Sequence, residues 1–229
     1  MNIDRRFAAE GMRMDFAAAR RNMVESQLRP NKVTNGAVLE AFAAVPRELY
    51  VPAALRGVAY VDEDIPLGGG RFLMEPMILA RLVQMAAPQP SDVALVIGAG
   101  AGYGVAILGR LVSRVVAVES DRELAQRMAQ VLKGQDVANV AVVEAPLSAG
   151  AAQLAPFDII LFDGSVDVAP PAIVDQLAEG GRLVAVVNPA GVGRARLMTR
   201  SGGAIASRVE FDAAVPRLPG LEAAPAFVF

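Results

Sequence analysis

Three glycines at alternating positions, Gly98, Gly100 and Gly102, follow directly on the apolar run Val93-Ala-Leu-Val-Ile97, and a helical pattern opens behind them. Glycine at such a point lets the chain turn sharply and leaves bare main chain for a ligand to lie against. Where the run is a strand of a parallel sheet, that ligand sits beyond the carboxyl ends of the strands, near the point where strand order reverses. The spacing then discriminates among ligands. A dinucleotide loop needs G-x-G-x-x-G/A, but the sixth place counted from Gly98, Gly100 or Gly102 holds Tyr103, Val105 or Ile107. The phosphate loop G-x-x-x-x-G-K-[ST] needs a lysine after its last glycine, and none follows here.

What remains, G-x-G-x-G, fits a loop for S-adenosylmethionine, which carries no pyrophosphate to cradle. A glycine-rich turn that holds nothing is the plain alternative. Glu119 weighs toward a ligand. It ends the next apolar run, 21 residues after Gly98, where a carboxylate can accept hydrogen bonds from both hydroxyls of a ribose. Its own alternative is a solvated acid at a strand end, since Asp121 and Glu123 follow closely.

Whatever chemistry the chain performs works without cysteine or histidine, both absent from its 229 residues. The first absence excludes disulfides, a thiolate nucleophile and a zinc–thiolate site. The second removes the commonest general base and the commonest metal ligand, so no metal site is expected. A net charge of −2 gives no electrostatic footprint for nucleic acid. Hydrophobic residues make up 54% of the chain, ample for a core, yet no apolar run approaches the roughly 20 residues that span a bilayer. The opening MNIDRRFAAEGMRMDF lacks the apolar stretch of a secretory signal. A cytoplasmic protein with no membrane partner is expected.

The elements that must position the loop are readable in outline. Residues 1–15 are polar-rich and read as a loose extension. Helical spacing covers residues 16–28 and stops at Pro30, and Thr34 is expected to cap a second helix over 35–44 with Val38, Leu39, Phe42 and Ala43 on its apolar side. Residues 45–70 read as irregular and close in Gly68–Gly70, and a helix follows Pro76 to about residue 87. After Pro90 short β-branched runs alternate with helical segments. Strands are expected at Val93–Ile97, 115–119, Val140–Glu144, 159–162 and 182–187, and helices at 103–111, 122–132 and 172–178. Two further strands are expected at 207–215 and 226–229. Such alternation implies a mostly parallel central sheet with helices on both faces. The chain is thus expected to be a single α/β domain over 16–229, with a helical annex and substrate loop over 16–90 and a Rossmann-like core over 91–229.

The chain resembles the protein-L-isoaspartate O-methyltransferases from about Val24 to Val215. The matching stretches are Ala44-Val-Pro-Arg-Glu48 with Val51-Pro52, Ala59-Tyr60 with Ile65-Pro-Leu-Gly68, and Ile97-Gly-Ala-Gly-Ala-Gly-Tyr103. Asn139-Val140, Pro156-Phe-Asp-Ile-Ile160 and Gln176-Leu-Ala-Glu-Gly-Gly-Arg-Leu183 continue the match. The resemblance implies the class I methyltransferase fold, S-adenosylmethionine as cofactor with S-adenosylhomocysteine as product, and a protein or peptide partner. The implied reaction is methyl transfer to the side-path carboxylate of isoaspartyl residues, which begins their repair. Gly98, Ala99, Gly100, Gly102, Tyr103, Glu119 and Ser120 are then the expected cofactor-binding residues. A carboxylate with a pKa near 4 is already ionised at neutral pH, so this reaction needs no histidine base. The work left to the protein is positioning.

The chain also departs from the family's pattern. The family's loop ending in Ser-Gln-Pro reads Arg71-Phe-Leu-Met-Glu-Pro76, which puts Met74 where the active-site serine belongs. Val96 stands for the acid at the end of the first strand, and Pro146 for an aspartate that contacts adenine. New acids stand at Glu75 and Asp163, and Met74, Glu75 and Asp163 are the candidate catalytic positions. An acceptor carboxylate entering between Glu75 and Asp163 would meet like charge, which Arg71 could partly offset. Three readings follow: isoaspartyl repair, a family member with a changed acceptor such as an amine or hydroxyl, or a binding or scaffold protein that transfers no methyl group.

Overall fold

The computed structural model describes residues 14–189 and 191–222. The expected extension over 1–15 falls mostly outside the described residues, and the strand expected at 226–229 does so entirely.

The annex begins with α1, Phe16–Met23, capped by the Asp15 side chain, and the chain continues through a π-helical turn, Val24–Leu28. Helix α2, Gly36–Ala44, is capped by Asn35, whose Oδ1 accepts from Val38 N at 3.1 Å. The cap is therefore Asn35 rather than Thr34. The Gln84 side chain fixes this turn by accepting from the backbone N–H groups of Thr34 and Asn35. The buried face of α2 carries Val38, Leu39, Ala41 and Phe42, and Ala43 is exposed. Asn35→Ala is expected to cost about 1 kcal/mol of stability, the usual worth of such a cap. Thr34→Ala should stay within about 0.5 kcal/mol. Urea midpoints of the two variants check the assignment.

The stretch expected to be irregular contains a two-stranded hairpin, β1 (Ile65–Gly68) and β2 (Arg71–Leu73), ahead of helix α3 (Pro76–Met85). Its turn residues Gly69 and Gly70 have φ of +58° and +74°. Both lie in the left-handed region that a tight hairpin turn requires and glycine supplies without strain. Proline and glycine made these residues read as loop.

The core alternates β3 (Val93–Ile97), α4 (Tyr103–Gly109), β4 (Arg114–Glu119), α5 (Arg122–Gly134), β5 (Val140–Glu144), β6 (Phe157–Val166), α6 (Pro171–Val174) and β7 (Leu177–Val187). Two antiparallel strands follow, β8 (Arg194–Ser201) and β9 (Ala204–Asp212). The sheet order is β5-β4-β3-β6-β7-β8-β9, with β3 to β7 parallel. Several expectations need correction. The strand expected over 207–215 is β9, which begins and ends three residues earlier. The segment 172–178 is helical only over Pro171–Val174, and β7 starts at Leu177. β8 was not foreseen, because its buried Ala195 and Leu197 alternate with arginines and leave no apolar run.

Strand alternation divides the core. Ala94 and Val96 of β3 face the cluster built with α1 to α5, whereas Leu95 and Ile97 face a second cluster with Ile173 of α6, Leu218 and Leu221. The order reverses between β3 and β6, which makes the carboxyl ends of these strands the place for a ligand. No helix among the described residues is long and apolar enough to cross a membrane.

Candidate functional site

The glycine loop leaves β3 where Gly98 N and Ala99 N both donate to Val118 O, at 3.0 and 3.1 Å. Gly98, Gly100 and Gly102 have φ of +72°, +53° and +93°. A side chain at each would meet something different. From Gly102 an added Cβ would lie 2.6 Å from Met128 Cγ of α5, and from Gly100 it would lie 3.1 Å from Leu67 Cδ1 of the hairpin. From Gly98 it would lie 2.5 Å from Leu218 Cδ2 and 3.0 Å from Arg71 Nη2.

Glu119 ends β4 and is fully buried. Its Oε2 accepts from Gly100 N at 2.7 Å, and its Oε1 accepts from Ser120 N at 2.8 Å and Asp121 N at 3.0 Å. This is the position expected from its spacing, at the strand end and bonded to the glycine loop. A further donor was not expected. Arg71 of β2 is buried, gives Nη1 to Glu119 Oε1 at 3.2 Å and gives Nη2 to Gly98 O at 2.6 Å. The hairpin therefore lies as a flap over the loop, and an added Cβ on Gly69 at its tip would be 3.1 Å from Asp121 Oδ2.

The other expected cofactor residues divide. Ala99 is buried in the loop and Ser120 is exposed beyond Glu119. The Tyr103 side chain is directed into the annex. Its ring is fully buried against Phe42 and Tyr50, at centroid distances of 5.9 and 5.6 Å, with the Arg47 guanidinium over its face at 4.9 Å. That side chain belongs to the packing between α4 and the annex.

Met74 and Asp163 line one small cavity together with Arg71, Gly164 and Leu218, about 10 Å³ in volume. Met74 is buried, and its carbonyl accepts from Arg47 Nη2 at 2.9 Å. Arg47 thus holds the end of the flap in place. Asp163 is buried on β6, and its Oδ1 has no hydrogen-bond partner. Burial pushes its carboxyl up to about 7, with Arg71 and Arg47 opposing and Glu119 and Asp64 adding to the rise.

Glu75 does not join this pair. It is half-buried and faces Asp62, Glu63 and Asp64, with its backbone N–H donating to Asp64 Oδ1 at 2.9 Å. Burial and then these acids raise its carboxyl to about 7. An acceptor flanked by Glu75 and Asp163 is therefore not what the site presents. Asp163 faces the cavity, and Glu75 stands in an acidic rim. Val96 is buried inside β3 and Pro146 is exposed ahead of a 3₁₀ turn, so neither can accept a hydrogen bond from a ligand through its side chain.

The raised carboxyl of Asp163 makes stability depend on pH. The folded protein holds this proton up to about 7, whereas the unfolded chain releases it near 4. Stability from this group is full below about pH 4 and falls as pH rises toward 7, by up to about 1.4 kcal/mol per pH unit. Asp163→Asn is expected to remove that slope. Denaturant midpoints at pH 5 and pH 8 should differ less in the variant than in the wild type.

The residues that sequence reasoning missed are those that close the site. Leu218 packs between Gly98 and Gly164, and no local motif marks it. In the sequence Arg71 stands out only as a charge among acids. Among the described residues no group of three or more acids could hold a metal.

The profile of the protein-L-isoaspartate(D-aspartate) O-methyltransferase family matches residues 19–215. A protein-L-isoaspartate O-methyltransferase of Koribacter versatilis is 39% identical over 169 residues, covering 74% of this chain and 76% of that protein. One of Methylorubrum extorquens is 38% identical over 188 residues, 82% of each chain. Solved structures share the fold at lower identity. A protein-L-isoaspartate O-methyltransferase superposes with a TM-score of 0.77 at 22% identity, covering 89% of this chain and 67% of the other. A Plasmodium falciparum protein described as a putative protein-L-isoaspartate O-methyltransferase, in complex with S-adenosyl-L-homocysteine, superposes at 0.75 and 19% identity, covering 87% and 97%. The parallel sheet with its reversal beside the glycine loop is the class I methyltransferase arrangement, and the chain belongs to the protein-L-isoaspartate(D-aspartate) O-methyltransferase family.

Proposed function

We propose that this protein is an S-adenosylmethionine-dependent methyltransferase that esterifies the side-path carboxylate of isoaspartyl residues in proteins or peptides. The observation that carries this reading is the meeting of the glycine loop with the buried Glu119 at the carboxyl ends of β3 and β4, in a chain of this family. The fixed parts of the site fit the cofactor. Gly98–Gly102 offers bare main chain, and Glu119, bonded to that loop at the strand end, is a carboxylate of the kind that accepts from ribose hydroxyls. Two side chains do not fit: Arg71 and Leu218 fill the same space and have to withdraw.

When bound, S-adenosylmethionine supplies an activated methyl group. The chain's own residues bind, orient and exclude water. Glu119 holds the ribose, with Ser120 beside it, and the loop amides bound the adenosyl side. Met74 and Asp163 face the acceptor side, and the β1–β2 flap closes it from solvent. The acceptor arrives ionised and needs no base, which agrees with a chain that has no histidine. The working place is the cytoplasm, where ageing proteins supply the substrate.

The test is the initial rate of methyl transfer to an isoaspartyl peptide and to its normal aspartyl isomer. Transfer to the first and not the second is expected. Equal rates, or none with either, would remove the proposal. Gly100→Val should abolish S-adenosylhomocysteine binding in a calorimetric titration. A valine there sits at a buried left-handed position and meets Leu67 Cδ1 of the hairpin at about the contact limit, so a thermal melt of the variant accompanies the titration to show that it is folded. Unchanged affinity would show that the loop does not hold the cofactor.

A further inference from the structure

Arg71 and Leu218 lie where a bound adenosyl group has to lie, and both are held there by more than contact. We propose that Arg71 is an internal occupant of the cofactor site that sets cofactor affinity, its guanidinium standing on Glu119 in place of the ribose hydroxyls while the 215–218 segment closes over it through Leu218. This rests on reading the glycine loop as the cofactor site.

The ion pair is built for that role. Both partners are buried, and the guanidinium reaches Glu119 and Gly98 O together. A ligand ribose and Arg71 ask for the same carboxylate, so they exclude each other. Leu218 completes the closure. Its Cδ2 lies 2.5 Å from an ideal Cβ position on Gly98 and 2.6 Å from that on Gly164, wedged between the ends of β3 and β6 where strand order reverses. The segment carrying it is fastened chiefly to Ser165. Ser165 N donates to Pro216 O at 2.9 Å, Leu218 N donates to Ser165 O at 2.8 Å, and Ser165 Oγ donates to Val215 O at 2.8 Å. Arg217 adds an ion pair to Asp167 at 2.7 Å. What remains between flap and lid is a cavity of about 10 Å³. That is barely the volume of one water, against the several hundred Å³ of a typical ligand pocket.

The structure also supplies a way out. The flap turns on Gly69 and Gly70, and open space surrounds Gly68 and Gly70. Asp163 lines the same cavity, and its buried Oδ1 lacks a partner. A guanidinium leaving Glu119 gains an acceptor there without leaving the cleft. Arg71 then has two seats, Glu119 when the site is closed and Asp163 when it is open. Cofactor affinity is reduced by the fraction of molecules that are closed.

The test is calorimetric titration of the full chain with S-adenosylhomocysteine, for wild type and for Arg71→Gln, Leu218→Gly and Asp163→Asn, each checked for folding by thermal melting. Glutamine keeps a donor for Gly98 O, and Leu218→Gly unseats the lid without touching a charge. Both are expected to bind at least tenfold more tightly than wild type, and Asp163→Asn several-fold more weakly. In the wild type, saturation with ligand should raise hydrogen exchange at the Leu218 amide about tenfold. If wild type binds and neither Arg71→Gln nor Leu218→Gly binds more tightly, the internal-occupant proposal is overturned and the cofactor site stands. Binding with no change at the Leu218 amide overturns the lid. Asp163→Asn binding as well as wild type overturns the second seat. If no folded variant binds at all, the cofactor site itself is overturned, and the proposal with it.

Discussion

Replacing Glu119 with alanine is expected to remove S-adenosylhomocysteine binding and to cost about 3–5 kcal/mol of stability, the usual penalty for leaving one member of a buried pair without the other. Two consequences meet at this residue. Its carboxylate accepts from three backbone N–H groups, of Gly100, Ser120 and Asp121, and from the Arg71 guanidinium. Alanine leaves the three backbone donors facing an empty space, and Arg71 becomes a buried charge bonded to Gly98 O with Asp163, across the small cavity, as its nearest remaining acid. The ligand loses its ribose acceptor in the same step. Glu119→Gln separates the two effects. It keeps the volume and one acceptor oxygen, so the fold should lose less, while affinity should still fall at least tenfold, about 1.4 kcal/mol. Urea midpoints report the first quantity and calorimetry the second. Because the same change loosens Arg71, affinity is compared in an Arg71→Gln background, and a folded double variant that binds as well as Arg71→Gln alone would contradict the assignment of the ribose to this carboxylate.

Methylation of an isoaspartyl peptide is expected to rise when Met74→Ser is combined with Glu75→Gln. Met74 is buried beside Asp163 at the small cavity under the flap, the acceptor side in the proposed reading, and offers no donor proton. A serine there can position a charged carboxylate by one hydrogen bond, worth roughly 1.5–3 kcal/mol, or about ten- to a hundredfold in rate if it is realised in the transition state. Glu75 acts from further out. It belongs to the acidic rim with Asp62, Glu63 and Asp64, so the glutamine relieves repulsion on approach rather than at the reacting atoms. Most of the gain in kcat should therefore come from the serine, and the glutamine should act mainly on KM. The shorter side chain also leaves a cavity, which should cost roughly 2–4 kcal/mol of stability, near the range of Met→Ala changes. Initial rates with labelled S-adenosylmethionine, wild type against each single and the double variant, check the division. Robust wild-type turnover that neither substitution improves would show Met74 and Glu75 to be harmless replacements.

How far the sequence revealed this site depended on how local each signal was. Val93–Ile97, the three glycines and the strand ending at Glu119 were legible because each sits in a short, strongly patterned stretch, and Val140–Glu144 was found to the residue. The direction of Tyr103 was not legible. It follows the glycines directly, but its side chain packs on Phe42 and Tyr50, about 60 and 50 residues away in the annex. Glu75 was misplaced for a simpler reason. It follows Met74 but ends up among Asp62, Glu63 and Asp64, acids that are distant enough in sequence to leave no mark on the 74–76 stretch. The closure was the least legible feature. Arg71 and Leu218 are far apart in sequence and meet only through the flap and the segment fastened to Ser165.

The most direct measurement is the site of the transferred methyl group. After incubation with labelled S-adenosylmethionine and a peptide carrying one isoaspartyl residue, one lysine and one serine, fragmentation mass spectrometry locates the label. We expect a single base-labile methyl ester on the isoaspartyl side-path carboxylate. A base-stable methyl on the amine or hydroxyl, or no label on the peptide at all, would contradict isoaspartyl repair as the function of this protein.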